Sequence, residues 1–217
     1  MESEETKIRK EIISYGLKAY EYGFVTETEG NLSARLGKDK VLVTPSHIPY
    51  EQRVPEDVVL LDMEGNVLSG ERPPTSEYRM HLSIFRARED VGAILHAHPL
   101  YGSILAVAGE PLKPILDEMT PYLGGVVEVT GFQPSGSQEL ADMVVKTLGP
   151  KSAALIANHG TVCTGKNLSR AFQMTKYVEK WAHIQILAAL LGKARTVPEA
   201  RVEQESQYYQ FMKDADW

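Results

Sequence analysis

Two short apolar runs that each end in histidine constrain this 217-residue chain more than any other feature. The first is Ala93-Ile94-Leu95-His96-Ala97-His98-Pro99. Alternate side chains of a strand share a face, so His96 and His98 point the same way. The second, Ser152-Ala153-Ala154-Leu155-Ile156-Ala157-Asn158-His159-Gly160, repeats the design with one histidine. Runs this apolar and this short belong to buried strands, which makes their ends rigid mounts for the three imidazoles.

The rest of the pattern mixes helices with hairpins. Ile8, Ile12, Ile13, Leu17 and Tyr20 recur at helical spacing and predict a helix from about Glu5 to Tyr22, stopped near Gly23. Leu32 to Leu36 and Val41 to Val43 flank the turn Gly37-Lys38-Asp39-Lys40, and Val58 to Asp62 and Asn66 to Leu68 flank Glu64-Gly65, giving two hairpins. Further strands are predicted at Val91 to His96, Gly124 to Val129, Ala153 to Ala157 and Thr161 to Thr164. Helices are predicted from Thr75-Ser76-Glu77 to Arg88, Tyr101 to Ala108, Ser137 to Leu148 and Leu168 to Leu191. The last has Ala171, Met174, Tyr177, Val178 and Trp181 on one face. Strands joined by hairpins favour an α/β fold with an antiparallel or mixed sheet covered by helices, not a doubly wound parallel sheet. With no linker and no repeat, residues 1–217 are read as a single domain.

Neutral imidazoles converging on one point suit zinc, and catalytic zinc sites commonly take three protein ligands and keep one position open. His96, His98 and His159 are therefore the candidate metal ligands; an exposed strand end or a hydrogen-bonded histidine pair is the alternative for His96 and His98. Manganese or cobalt would also accept imidazole nitrogen. Of the other three histidines, His183 is assigned to packing near Trp181, and His47, in a loop after Thr44-Pro45-Ser46, either approaches an anion or faces solvent. His81 follows Glu77 by four residues and shares its helical face, so it either supports that acid or simply packs.

Glu77 is placed in the first turn of its helix, capped by Thr75 or Ser76, where negative charge is favoured. Asp117-Glu118 reads as a surface pair. Three small polar clusters suit an anion: Gly30-Asn31-Leu32-Ser33, Thr44-Pro45-Ser46 and Thr75-Ser76, the last at a helix N-terminus. The net charge of -6 and the lack of a basic run give no reason to expect nucleic acid or an anionic membrane as partner. The lone cysteine, Cys163, is read as a core residue. With no apolar leader and no run long enough to span a bilayer, a cytoplasmic location is expected.

In this order the stretches Gly30-Asn31-Leu32-Ser33-Ala34-Arg35, Val43-Thr44-Pro45-Ser46-His47-Ile48-Pro49-Tyr50, Pro74-Thr75-Ser76-Glu77-Tyr78-Arg79-Met80-His81, His96-Ala97-His98 and Asn158-His159-Gly160 resemble the class II aldolase/adducin family. The resemblance implies a three-layer α/β/α sandwich with a mostly antiparallel central sheet, and a homotetramer with active sites at subunit boundaries. It implies zinc on His96, His98 and His159, a substrate phosphate on Gly30, Asn31, Ser46, Thr75 and Ser76, and an acid/base role for Glu77. The activity implied is cleavage of a ketose 1-phosphate into dihydroxyacetone phosphate and an aldehyde. Epimerases, dehydratases, decarboxylases and non-catalytic adducin-like domains are the alternatives within the family. The chain departs from the fuculose aldolase pattern at Glu118, near a tyrosine position and more like the glutamate of the dehydratases, and at His47, where glycine is common. Tyr208 and Tyr209 are candidates for a phenol supplied by the tail.

Overall fold

The computed structural model describes residues 2–192 and 194–214. Its chain order is α1 (Glu4–Glu21), β1 (Asn31–Leu36), β2 (Lys40–Val43), β3 (Val59–Asp62), β4 (Val67–Ser69), α2 (Tyr78–Ala87), β5 (Ala93–Ala97), α3 (Leu100–Ala108), α4 (Met119–Leu123), α5 (Gln138–Leu148), β6 (Ala153–Ile156), β7 (Gly160–Gly165), α6 (Leu168–Leu190) and α7 (Glu199–Asp214). The strands form one sheet in the order β4-β3-β2-β1-β5-β7-β6, and every ladder is antiparallel.

Strand alternation sorts the core into layers. Val41, Val43, Val59, Leu61, Ile94, Ile156 and Val162 face α2 and α5. Leu32, Leu42, Leu60 and Leu95 face the other way, onto α1 and α6, and Leu155 and Cys163 meet α3 and α6 around Trp181. Both faces are thus covered, giving the α/β/α sandwich. Each fully buried leucine or valine contributes about 1.5–3 kcal/mol. Cys163 is fully buried, and burial pushes its thiol up to about 12, so it is a core residue and no nucleophile.

Helix α1 begins where Ser3 accepts the Thr6 N–H at 3.1 Å, and its buried line runs through Ile12, Gly16 and Ala19. Three expectations need correction. Gly124 to Val129 is not a ladder strand: Gly124 and Gly125 both take positive φ, and the chain beyond them makes only isolated bridges, Val127 to Leu112 and Val129 to Leu155. This segment covers the outer edge of β6 through the Leu155 N–H to Glu128 and the Thr130 N–H to Leu155. Secondly, α2 starts at Tyr78. Glu77 precedes its first turn, with its N–H 3.4 Å from the Thr75 hydroxyl, and its side chain is buried, not a solvated helix-dipole acid. Thirdly, α4 and α7 had no expected counterpart.

Helix α7 packs on α4 through Tyr209, whose ring lies against Gly124, leaving no room for a Cβ there. The Tyr209 hydroxyl meets Ser152 Oγ at 2.8 Å and the Pro150 carbonyl at 3.2 Å, and Lys213 pairs with Asp90 at 2.9 Å. Tyr209→Ala should therefore release α7 while the sheet survives. The expected loss is roughly 2–5 kcal/mol, measured by denaturant unfolding, with early proteolytic cleavage between residues 192 and 214.

Candidate metal centre

Two periodicities bring the site together. On β1, Asn31 and Ser33 share the face turned toward α2, and Asn31 lies opposite His96 of β5. Glu77 directly precedes α2 and His81 lies in its first turn, four residues on, so both look back at that face. His98 follows the end of β5, where its N–H bonds the Phe24 carbonyl at 2.8 Å. His159 closes the three-residue connection between Ile156 and Gly160, with Asn158 in the left-handed region at φ 55°. Gly160 has to be glycine: a Cβ there would lie 2.5 Å from the Ala97 carbonyl oxygen and 2.5 Å from the His98 ring.

The three ligand nitrogens of His96, His98 and His159 lie within 4.8 Å of one another. Their outer hydrogen bonds fix which nitrogen is free. His96 Nδ1 donates to the Thr161 carbonyl at 2.9 Å, and His98 Nδ1 pairs with Glu29 at 3.2 Å. Both Nε2 atoms therefore turn lone pairs inward, 3.1 Å apart. Glu77 Oε2 stands 3.0 Å from His96 Nε2, and Glu77 Oε1 is 3.8 Å from His159 Nε2. Acceptors crowded this closely favour a positive charge among them, a proton on His96 or a metal ion, and outer hydrogen bonds of this type orient metal-binding histidines. The donor set thus fits a bound metal ion.

Electrostatics agree. Burial alone would raise the Glu77 carboxyl, but its interaction with His96, then with His159, and the bond from the Asn31 amide hold it far below the usual carboxylate range. Burial and the charge of His96 push His159 down to about 4, and His98 also shifts down, so both are neutral ligands at pH 7. Burial would lower His96, but Glu77 outweighs it and the net shift is upward, which marks where positive charge is favoured.

The anion clusters also meet. Pro45 and Pro74 form a bridge, the Ser46 N–H bonds the Pro73 carbonyl at 3.0 Å, and the Thr75 N–H bonds the Thr44 carbonyl at 3.0 Å. Ser46 Oγ donates to the Pro74 carbonyl at 2.7 Å, while Ser76 is exposed. Gly30 sits where a Cβ would be 2.9 Å from the His96 carbonyl oxygen, with φ 69°. The Asn31 side chain bonds Glu77 at 2.8 Å, so in this structure it holds the acid. His47 is exposed in the same loop at φ 62°.

Other candidates lie elsewhere. Glu118 is exposed at the N-terminus of α4, where its charge acts on Tyr122. Tyr209 is lodged beside Ser152, at the opposite end of β6 from His159, and Tyr208 is half exposed. His183 stacks on Tyr101 at 3.7 Å, a packing role. Two contributors escaped the sequence reading: Glu29, directly before Gly30-Asn31, and Ser135, whose hydroxyl donates to Glu77 Oε1 at 3.0 Å. Their only signals were a Thr26-to-Glu29 loop pair and a Pro134-Ser135-Gly136 turn ahead of α5.

The family model described as Class II Aldolase and Adducin N-terminal domain matches residues 10–186. A 5-deoxy-D-ribulose 1-phosphate aldolase of Bacillus thuringiensis serovar kurstaki is 34% identical over 91% of this chain and 92% of its own length. A 3-oxo-tetronate 4-phosphate decarboxylase of Haemophilus influenzae is 33% identical over 80% of this chain and 84% of its own. A solved L-fuculose 1-phosphate aldolase superposes with TM-score 0.91 at 35% identity, covering 97% of this chain and 99% of that one.

His98→Ala should drop bound divalent metal well below one per chain while the circular dichroism spectrum stays that of the parent. Metal analysis of the purified variant is the check, and an unchanged stoichiometry would remove His98 from the ligand set.

Proposed function

The chain belongs to the class II aldolase and adducin N-terminal domain family, and from that premise we propose that it is a zinc-dependent aldolase of ketose 1-phosphates. Its substrate is a ketose or deoxyketose 1-phosphate, such as L-fuculose 1-phosphate or a 5-substituted ribulose 1-phosphate, and its products are dihydroxyacetone phosphate and an aldehyde. The observation that carries this reading is the buried Glu77 carboxylate 3.0 Å from His96 Nε2, inside the histidine cluster.

Zinc suits the donors. Two imidazoles bound at about 2.0–2.1 Å in a tetrahedral site have nitrogens roughly 3.3 Å apart, close to the 3.1 Å between His96 and His98. When bound, the ion would supply Lewis acidity and stabilise negative charge on the ketose oxygens. Gly30, Asn31, Ser46, Thr75 and Ser76 border the phosphate end, though the Asn31 amide also serves Glu77. Glu77 returns a proton to C3 of the ketose as the C3–C4 bond breaks, and takes it from the same carbon in the condensation direction. A base on the aldehyde side removes the C4 hydroxyl proton. We assign this to Glu118, which, being exposed on α4, serves the site of a neighbouring copy.

A homotetramer provides that neighbour. Leu100, Ile104 and Val107 leave one face of α3 apolar and exposed, as a subunit contact requires. We read residues 1–217 as one catalytic domain built on the single sheet. Among the described residues no helix is long and apolar enough to cross a membrane. The lone buried Cys163 suits a reducing cytoplasm. Decarboxylation of a phosphorylated sugar acid is the second reading, favoured by the relative of that name.

Incubation with a panel of ketose 1-phosphates should release dihydroxyacetone phosphate; carbon dioxide from a sugar-acid phosphate instead would establish the second reading. Glu77→Gln should keep its zinc and lose on the order of 10²–10⁴ in turnover, measured by coupled reduction of the triose phosphate. Retained turnover would take the proton away from Glu77.

A further inference from the structure

Behind Glu77 runs a buried chain of polar side chains that the proton chemistry above does not use. Glu77, Asn31, His81 and Ser33 are 5%, 4%, 0% and 0% exposed. Asn31 Nδ2 lies 2.8 Å from Glu77 Oε2, His81 Nε2 lies 2.5 Å from Asn31 Oδ1, and Ser33 Oγ lies 2.5 Å from His81 Nδ1. Strand alternation and helical i,i+4 spacing place all four on one seam between β1 and α2.

The donors along this seam have only one consistent arrangement. An ionised carboxylate only accepts, so Asn31 must turn its amide N–H toward Glu77. Its carbonyl oxygen then faces His81, so His81 Nε2 carries a hydrogen. His81 Nδ1 must in turn accept from the Ser33 hydroxyl, its hydrogen-bond partner among the described residues. Burial, followed by the charge of His96, pushes His81 down to about 3, so the ring is neutral and has one hydrogen to give.

We propose that His81 and Ser33 are positioning residues: through the Nε2–H tautomer of His81 they lock the Asn31 amide so that its N–H, and never its oxygen, meets Glu77. A free amide turned half round would set oxygen against carboxylate and push Glu77 off its line to the reacting carbon. An apolar side chain in place of His81 fills the same space but leaves Asn31 free to turn, and this separates a lock from simple packing. The catalytic consequence rests on the reading of Glu77 as the proton carrier; the hydrogen-bond order does not.

The test uses full-length protein labelled with ¹⁵N in histidine and asparagine. In the parent, His81 should show the Nε2–H tautomer, and the Asn31 side-chain amide protons should exchange slowly with solvent. Ser33→Ala should lose that slow exchange. Both Ser33→Ala and His81→Leu should keep their metal and their KM within about twofold while kcat falls on the order of 10–10²-fold. His81→Gln, whose amide can still donate to Asn31, should recover most of it. An Nδ1–H tautomer, or an unchanged kcat in both Ser33→Ala and His81→Leu, would overturn the lock. So would a His81→Gln variant no better than His81→Leu. Should His81→Leu fail to fold, Ser33→Ala and the parent spectrum still decide. If the parent releases no dihydroxyacetone phosphate from any ketose 1-phosphate, the aldolase reading falls, while the tautomer and amide exchange settle the lock by themselves.

Discussion

A carboxylate buried against inward-facing imidazole lone pairs is the constraint around which this molecule is arranged. Glu77 is 5% exposed, and burying an ion without compensation costs several kcal/mol. Compensation comes from the Asn31 amide, the Ser135 hydroxyl and the positive charge favoured at the histidine cluster. Removing that charge leaves a set of mutually repelling acceptors, so the ligands and the acid are one electrostatic unit.

Such a unit needs a rigid frame, and the sheet provides it. His96 lies opposite Asn31 of β1 on one side and Val162 of β7 on the other, with its ring tied to the Thr161 carbonyl. His98 and His159 emerge at the same end of the sheet because β5 and β7 run antiparallel, so the end of one strand lies beside the start of the other. Glycine at positions 30 and 160 lets the backbone approach the histidine-bearing strand closely. The loop side chains Glu29 and Ser135 only finish an arrangement that the strands impose.

What the sequence made legible follows from this division. Strand alternation and apolar runs foretold the two-faced sheet and the three convergent histidines, because each depends on local periodicity; the four-residue spacing of Glu77 and His81 also put them on one side, although Glu77 stands just ahead of the helix. The Gly124 to Val129 segment misled because its β-formers follow two glycines at positive φ, which turn the chain before a ladder can form. Helix α7 was missed because its apolar residues are few and scattered. It is held by Tyr209 and by long-range polar contacts at Pro150, Ser152 and Asp90, which no local pattern encodes. Ser33 looked like part of an anion cradle, and only the position of α2 turns it into a donor to His81.

The same logic explains how relatives named for an aldolase and for a decarboxylase can share this frame. Both chemistries generate negative charge next to a carbonyl, which a cation held on imidazoles would stabilise. What separates them is the group that leaves, aldehyde or carbon dioxide, and hence the side chain that handles the leaving half. In this chain the candidate for that task, Glu118, stands on α4, outside the central sheet, exposed and free of the hydrogen bonds that fix Glu77. A residue so placed can change without disturbing the metal centre, whereas Glu77, Asn31 and His96 cannot change singly without stranding a buried partner. If Glu118 has the role proposed for it, reaction specificity is free to vary on the peripheral helix while the sheet end keeps the shared half of the chemistry.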